Sequence, residues 1–331
     1  MLIVLASVNG APGTTTAATL IGASWPDRRR VVVADCDPNG GDLAIRFGLA
    51  TSPGWSALSA AARRETGVPA LDPFLQTLSG GLEVLVGVRR LDNSPGDVTA
   101  RSNVAQALVV AAHSYDIIVD AGRLLPGFAG VQELVSAADT VLIVTRRDSA
   151  SVALLEERSE SIGAAISGQP GLIVIGGGSR RPREIERITG IPLLGVIPFD
   201  PAAAAVVAGE SGSVRRLERS PVVAASRRIA RSLADGPIRR SVMPEDDGTC
   251  IPGAGAADEA TEHERVTSRD RDDDAGPRGP AEQTVTGNAV RRSSDHRAAP
   301  VGVPSVPGPT AVDLAPEDAG STTNGLVRVI P

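Results

Sequence analysis

Lysine is missing from this chain: all 33 basic residues among its 331 are arginine. Any cation needed for catalysis or anion binding must therefore be a guanidinium. With Ala, Arg, Gly and Pro all abundant, the absence points to a GC-rich genome more than to a functional device. Aromatic residues are nearly as scarce, limited to Trp25, Trp55, Tyr115 and four Phe. The core must consequently be built from Val, Leu, Ile and Ala. Cys36 and Cys250 lie far apart, and His113, His263 and His296 do not cluster. That excludes a disulfide framework and a Cys/His metal site. No apolar run approaches membrane-spanning length, and Met1 to Val8 is too short for a secretory leader with its cleavage site. The chain is expected to be cytoplasmic.

The hydrophobic fraction of 42% supports a large core. Charge is distributed unevenly: residues 1–240 carry 25 Arg against 23 Asp and Glu, whereas residues 241–331 carry 8 Arg against 16. The second segment is dominated by Pro, Gly, Asp, Arg, Ser and Thr, with blocks such as Arg269 to Asp274 and Val303 to Pro309. Its apolar surface is too small to offset chain entropy. The expected organisation is a folded domain over 1–240 and a disordered acidic tail over 241–331. Gly325 to Pro331 is apolar again and is a candidate docking peptide.

Up to about residue 235, short apolar runs alternate with helix-compatible stretches. The runs are 2–8, 31–35, 82–88, 116–120, 140–145, 171–175 and 192–197. Most are continuously apolar, the pattern of strands covered on both faces of a parallel sheet. Stretches such as 98–113 and 149–166 read as helices. The fold class is α/β, layered around a mostly parallel sheet of about seven strands. Ligands of such sheets bind at the carboxyl ends of the strands. The polar residues expected along that rim are Asn9 to Thr16, Asp35 to Asp42, Arg89-Arg90, Asp120 to Arg123 and Arg146-Arg147.

One of these rim segments has phosphate-cradle chemistry. Val8-Asn9-Gly10-Ala11-Pro12-Gly13-Thr14-Thr15-Thr16 follows an apolar run and opens a helical stretch. Strand, glycine-rich turn and helix start together form an anion nest of backbone amides. Asn9 to Thr16 resembles the deviant Walker A motif, KGGxGKTT, of ParA/MinD-type ATPases. Ala34 to Leu43 (ADCDPNGGDL) is similar to their second signature, and Tyr115 to Asp120 (YDIIVD) resembles their Walker B strand. Ile197 to Pro201, with Gly209 downstream, resembles their late IPxD…G stretch. The four motifs occur in order and span residues 1 to about 235. The loop's PGxTTT form resembles that of actinobacterial MinD-like members.

The resemblance implies a three-layer P-loop NTPase fold that binds ATP and Mg2+. Gly10, Ala11, Pro12, Gly13, Thr14, Thr15 and Thr16 would form the phosphate loop. Thr15, Asp35 and Asp120 would surround the metal, and Asp37 would orient the attacking water. The family uses two lysines, and here Thr14 and Asn9 occupy their slots. One charge-assisted hydrogen bond contributes roughly 1.5–3 kcal/mol, so losing the loop lysine weakens binding about 10- to 150-fold. Hydrolysis suffers more, because phosphoryl transfer relies on positive charge over the transition state. Arg123, three residues past Asp120, is the first candidate to replace that charge, with Arg89, Arg90, Arg146 and Arg147 behind it. Asp42 reads as a carboxylate at a helix N-terminus, and Cys36 as a buried filler.

Family members place chromosomes, division sites, pili or secretion machines. The implied role is therefore an ATP-binding positioning protein with weak or lost hydrolysis, and the alternative is a nucleotide-independent pseudo-ATPase adaptor. Ser220-Pro221 starts a helix by the N-cap and N1 rules, with Val222, Val223, Ile229 and Leu233 against Arg227, Arg228 and Arg231. Residues 214–240 hold eight Arg and two acids. The first expectation is a closing helix of the domain. The partners considered are a homodimer, a protein bound by the tail or the 214–240 segment, and non-specific DNA or a membrane surface at that basic segment.

Overall fold

A computed structural model describes residues 1–10, 13–26, 29–64, 67–88, 94–124, 130–208 and 217–236. Ala11, Pro12, Arg89, Arg90, Gly209 and the whole 241–331 segment lie outside the described residues.

The strands are β1 (Leu2–Ser7), β2 (Val31–Asp35), β3 (Gln76–Thr77), β4 (Glu83–Leu85), β5 (Asp116–Arg123), β6 (Thr140–Arg146), β7 (Gln169–Ile175) and β8 (Leu193–Ile197). They form one sheet in the order β3-β4-β2-β5-β1-β6-β7-β8. Among the described residues every pairing is parallel except the antiparallel β3–β4 edge. All seven apolar runs are strands. The eighth strand, β3, is a two-residue edge whose polar Gln-Thr sequence carries no strand signal.

The helices are α1 (Thr14–Ala23), α2 (Leu43–Phe47), α3 (Trp55–Ala62), α4 (Pro95–Ala111), α5 (Val131–Ala137), α6 (Ser149–Ala165), α7 (Pro182–Thr189), α8 (Pro201–Val207) and α9 (Pro221–Ala234). Strand alternation sends Leu2, Val4, Ile117 and Val119 into a core under α3 to α7, and Ile3, Leu5, Val33 and Ile118 into a second core under α1, α2, α8 and α9. These two cores on opposite faces make the three-layer arrangement. They also bring the glycine-rich turn after β1, the acidic turn after β2 and the end of β5 side by side, because β1 and β2 both flank β5.

Helix α9 closes the second core. The Ser220 hydroxyl accepts from the Val222 amide at 3.2 Å and donates to Asp200 at 2.8 Å. Asp200 in turn caps α8 by accepting from the Ala203 amide at 3.0 Å. Val222, Val223, Ile229 and Leu233 are all buried, each contributing about 1.5–3 kcal/mol by burial. Gly195 on β8 permits the close approach, since a Cβ there would lie 2.6 Å from Ile229 Cγ1. The apolar face a membrane-seeking helix would present is thus occupied by the core, while Arg228 and Arg231 face out. Among the described residues no helix is long and apolar enough to cross a membrane.

Candidate functional site

The glycine-rich turn is shaped for an anion. Gly13 is the N-cap of α1 with φ +104°, a left-handed conformation that glycine adopts without strain. The first amides of any helix have no intrahelical partner, and Gly13 has no side chain with which to cap them. Thr14 is 5% exposed, and its hydroxyl is buried without a hydrogen-bond partner. At Gly10 an added Cβ would meet nothing within 4 Å, so the space beside the turn is open. A cradle with open space and an orphaned hydroxyl fits a phosphate group.

At the second residue of α1, the Thr15 side chain hydrogen-bonds to the Asp120 carboxylate. Asp120 also accepts from the Gly122 amide at 3.1 Å. Asp120 stands in register with Asp35 across the β5–β2 ladder. Asp35 accepts from the Leu43 amide at 3.2 Å and is walled in by backbone. A Cβ at Gly41 would lie 2.2 Å from its Oδ2, and one at Gly87 would lie 2.7 Å from its carbonyl. Burial, reinforced by the neighbouring Asp120 charge, pushes Asp35 up to about 8. Burial pushes Asp120 up to about 6, against the pull of its Thr15 and Gly122 hydrogen bonds. A hydroxyl and buried carboxylates are hard oxygen donors of the kind Mg2+ takes, and Mg2+ completes its shell with phosphate and water. Among the described residues no three His, Cys, Asp or Glu converge.

Asp37 lies outside this pair. Its Oδ1 accepts from the amide and side chain of Asn39 at 2.8 and 3.1 Å. Its carboxylate rests on Gly122, where a Cβ would come within 2.2 Å of it. Burial raises its pKa. Asp35, Cys36 and Asp37 border a cavity of about 20 Å³ shared with Trp55 and Arg101, roomy enough for one water. Cys36 is partly buried and packs against the core, and burial pushes its thiol well up, as fits a filler. Asp42 ion-pairs with Arg46 at 2.6 Å at the start of α2, the helix-end role its position implied.

Asn9 turns toward its own chain. Its Nδ2 donates to Ser151 Oγ at 2.8 Å, and Ser151 donates to Asp148, the N-cap of α6, at 2.8 Å. The Asn9 Oδ1 is buried without a partner. Arg123 reaches the turn from β5. The β1–β5 register slips between Leu5 and Ser7, so Leu5 pairs with Asp120 and Ser7 with Arg123. That extra residue is a bulge, and Gly122 with φ +57° absorbs it. The Arg123 Nε then donates to the Val8 carbonyl at 3.3 Å.

Solved structures share this architecture. A cell-division ATPase MinD from Pyrococcus furiosus matches with 18% identity over 71% of this chain and 98% of its own, at a TM-score of 0.57. A ParA family ATPase from Chlorobium tepidum matches with 21% identity over 70% and 98%, also at 0.57. A septum site-determining protein MinD from Pyrococcus horikoshii, complexed with Mg-ADP, matches with 16% identity over 70% and 95%, at 0.56. The chain has the MinD/ParA fold. No protein-family model and no curated protein sequence matches it.

Within the MinD/ParA fold, the expected rim residues Gly10, Gly13, Thr14, Thr15, Asp35, Asp37, Asp120 and Arg123 come together at the ends of β1, β2 and β5. Arg147 does not join them, since its Nε donates to the Arg180 carbonyl at 2.7 Å. Arg146 is exposed at the end of β6. Asp200, in the late motif, serves as a cap joining α8 to α9. Sequence reasoning missed Ser151, Asp148 and Arg158 of α6 and buried Arg101 of α4. Ser151 and Arg158 touch Asn9 and Val8 only through the fold, with Asp148 holding Ser151, although Asp148-x-x-Ser151 is legible as a helix cap.

Proposed function

We propose that this protein binds MgATP weakly at the N-terminus of α1 and works as a nucleotide-sensing positioning or scaffold protein whose hydrolysis is slow or lost. The observation that carries this reading is the orphaned Thr14 hydroxyl at an uncapped helix N-terminus, one residue from the Thr15–Asp120 hydrogen bond. The backbone N–H groups of Gly10, Ala11 and Gly13 to Thr16 would receive the phosphates, with Pro12, which has no N–H, as a loop spacer. Thr15, Asp120 and Asp35 would hold Mg2+, which supplies charge neutralisation for the phosphates. Asp37 would orient a water, and Arg123 would provide the positive charge that Thr14 does not. The similar solved structures, a cell-division ATPase, a ParA family ATPase and a Mg-ADP complex of MinD, support this reading.

The cargo in this proposal belongs to the class moved by chromosome-partitioning, division-site or pilus and secretion placement systems. A homodimer and a protein partner held by the 241–331 tail or the outward arginines of α9 are the proposed contacts. DNA or a membrane surface at the 214–240 arginines is the charge-driven alternative. A second reading, a nucleotide-independent adaptor, draws support from Asn9, whose side chain is engaged with Ser151 of its own chain.

Calorimetric titration of the full chain with MgATP and MgADP tests the proposal, with Gly13→Val as control. Valine at φ +104°, facing Ile175 at 3.2 Å, distorts the turn. Saturable binding lost in the control supports the nucleotide reading. Absence of binding at millimolar nucleotide leaves the adaptor reading standing.

A further inference from the structure

Two guanidiniums, not one, converge on the start of the phosphate turn. Arg123 Nε lies 3.3 Å and Arg158 Nη1 3.5 Å from the same Val8 carbonyl. We propose that Arg158 of α6 and Arg123 of β5 form a two-guanidinium clamp for the terminal phosphate of a nucleoside triphosphate. The proposal rests on the nucleotide-binding reading above and adds a residue and a selectivity to it.

The placement of Arg158 follows from α6. Ser151, Leu155 and Arg158 fall at i, i+4 and i+7, one stripe of the helix. Ser151 holds Asn9, Leu155 is fully buried, and Arg158 is half-buried beyond it. Helical side chains lean toward the helix N-terminus, and the N-terminus of α6 sits at the rim, directly after β6. A long side chain two turns down the helix is thereby carried back to the turn. Arg123 arrives from the other side because the β5 bulge puts it in register with Ser7.

The resting contact is a weak one for two cations. Both distances are beyond the usual N–H···O range of 2.7–3.2 Å, and the shared acceptor is a neutral carbonyl. Among the described residues neither arginine is ion-paired with a carboxylate. An oxyanion is a stronger acceptor than that carbonyl for either guanidinium, and it also relieves their mutual repulsion. In a loop of this kind the backbone amides cradle the inner phosphates and the lysine reaches the outer ones. The charge this loop lacks is therefore the one that distinguishes a triphosphate from a diphosphate.

The test is the ATP-to-ADP affinity ratio of the full chain, measured by calorimetry at fixed ionic strength. The variants are Arg158→Gln, Arg158→Met and Gly13→Val, each checked by thermal melt. The expected result is a parent preference for MgATP. Arg158→Gln should weaken MgATP roughly tenfold while leaving MgADP within about twofold. A merely structural arginine would weaken both nucleotides equally. Parent binding with an unchanged ratio in the Arg158 variants overturns the clamp and leaves the nucleotide reading intact. Failure of the parent to bind either nucleotide overturns both. Arg158→Met keeps the apolar stem and decides the matter where Arg158→Gln does not melt as a folded protein.

Discussion

Asp35 and Asp120 face one another across the β2–β5 ladder, both buried, with their pKa values raised from 3.8 to about 8 and about 6. In the unfolded chain both ionise near pH 4. The folded protein holds its protons to higher pH, so between about pH 4 and pH 8 it binds more protons than the unfolded chain, and its stability falls as pH rises through that window. Asp35→Asn keeps an acceptor for the Leu43 amide and removes the ionisation. It should stabilise the nucleotide-free protein at pH 8 by roughly 1–3 kcal/mol, or about 3–10 °C in Tm, and do little at pH 5. Melts of parent and variant at both pH values check this, and a variant no more stable than the parent at pH 8 contradicts it.

The Thr15–Asp120 hydrogen bond links the phosphate turn to the carboxylates. Thr15→Ala should weaken MgATP binding about tenfold while leaving metal-free ATP nearly unaffected. Paired titrations with magnesium and with chelator separate the two. Equal losses in both would mean that Thr15 acts on the turn and not on the metal.

Restoring the missing cation is the converse experiment. The Thr14 hydroxyl has no hydrogen-bond partner to lose. Thr14→Lys should therefore tighten MgATP binding by about tenfold or more. Weaker binding than the parent would show that this turn is built around threonine.

Gly122 and Gly10 make a matched pair of glycines. At Gly122, φ is +57° and a Cβ would sit 2.2 Å from the Asp37 carboxylate. At Gly10 a Cβ meets nothing within 4 Å. Gly122→Ala should cost about 1–3 kcal/mol, and Gly10→Ala about 0.5 kcal/mol or less. Denaturant midpoints provide the comparison, and equal costs would remove the steric argument.

Ser220 joins two helices through one hydroxyl, capping α9 and donating to Asp200 of the α8 cap. Ser220→Ala should lower stability by about 1–2 kcal/mol, read as a shift in denaturant midpoint without a change in slope.

The sheet was legible because its strands are covered on both faces and read as unbroken Val, Ile and Leu runs. The edge strand β3 was not, since two residues carry no period. Gly10, Gly13, Thr15, Asp35 and Asp120 were legible as a group because they lie in or just after the C-terminal halves of strands that the fold aligns. Ser220-Pro221 announced α9, and the apolar residues behind it predicted the packed face that the structure shows. Arg158 was hidden for a physical reason: its reach depends on the lean of a helical side chain and on which strand α6 covers, and no local pattern encodes either. The orientation of Asn9 toward Ser151 was hidden in the same way, because those residues are 142 apart in sequence.

The guanidiniums at Val8 have one more consequence. Arginine keeps its proton at any pH a protein survives, so the cationic side of this rim has a fixed charge. On the protein side, protons exchanged here in response to a ligand would come from acids such as Asp35, Asp37 and Asp120, whose pKa values burial raises. Binding of a metal against those acids would then be an exchange of protons for metal charge, and its measured heat should depend on the ionisation enthalpy of the buffer that takes the protons up.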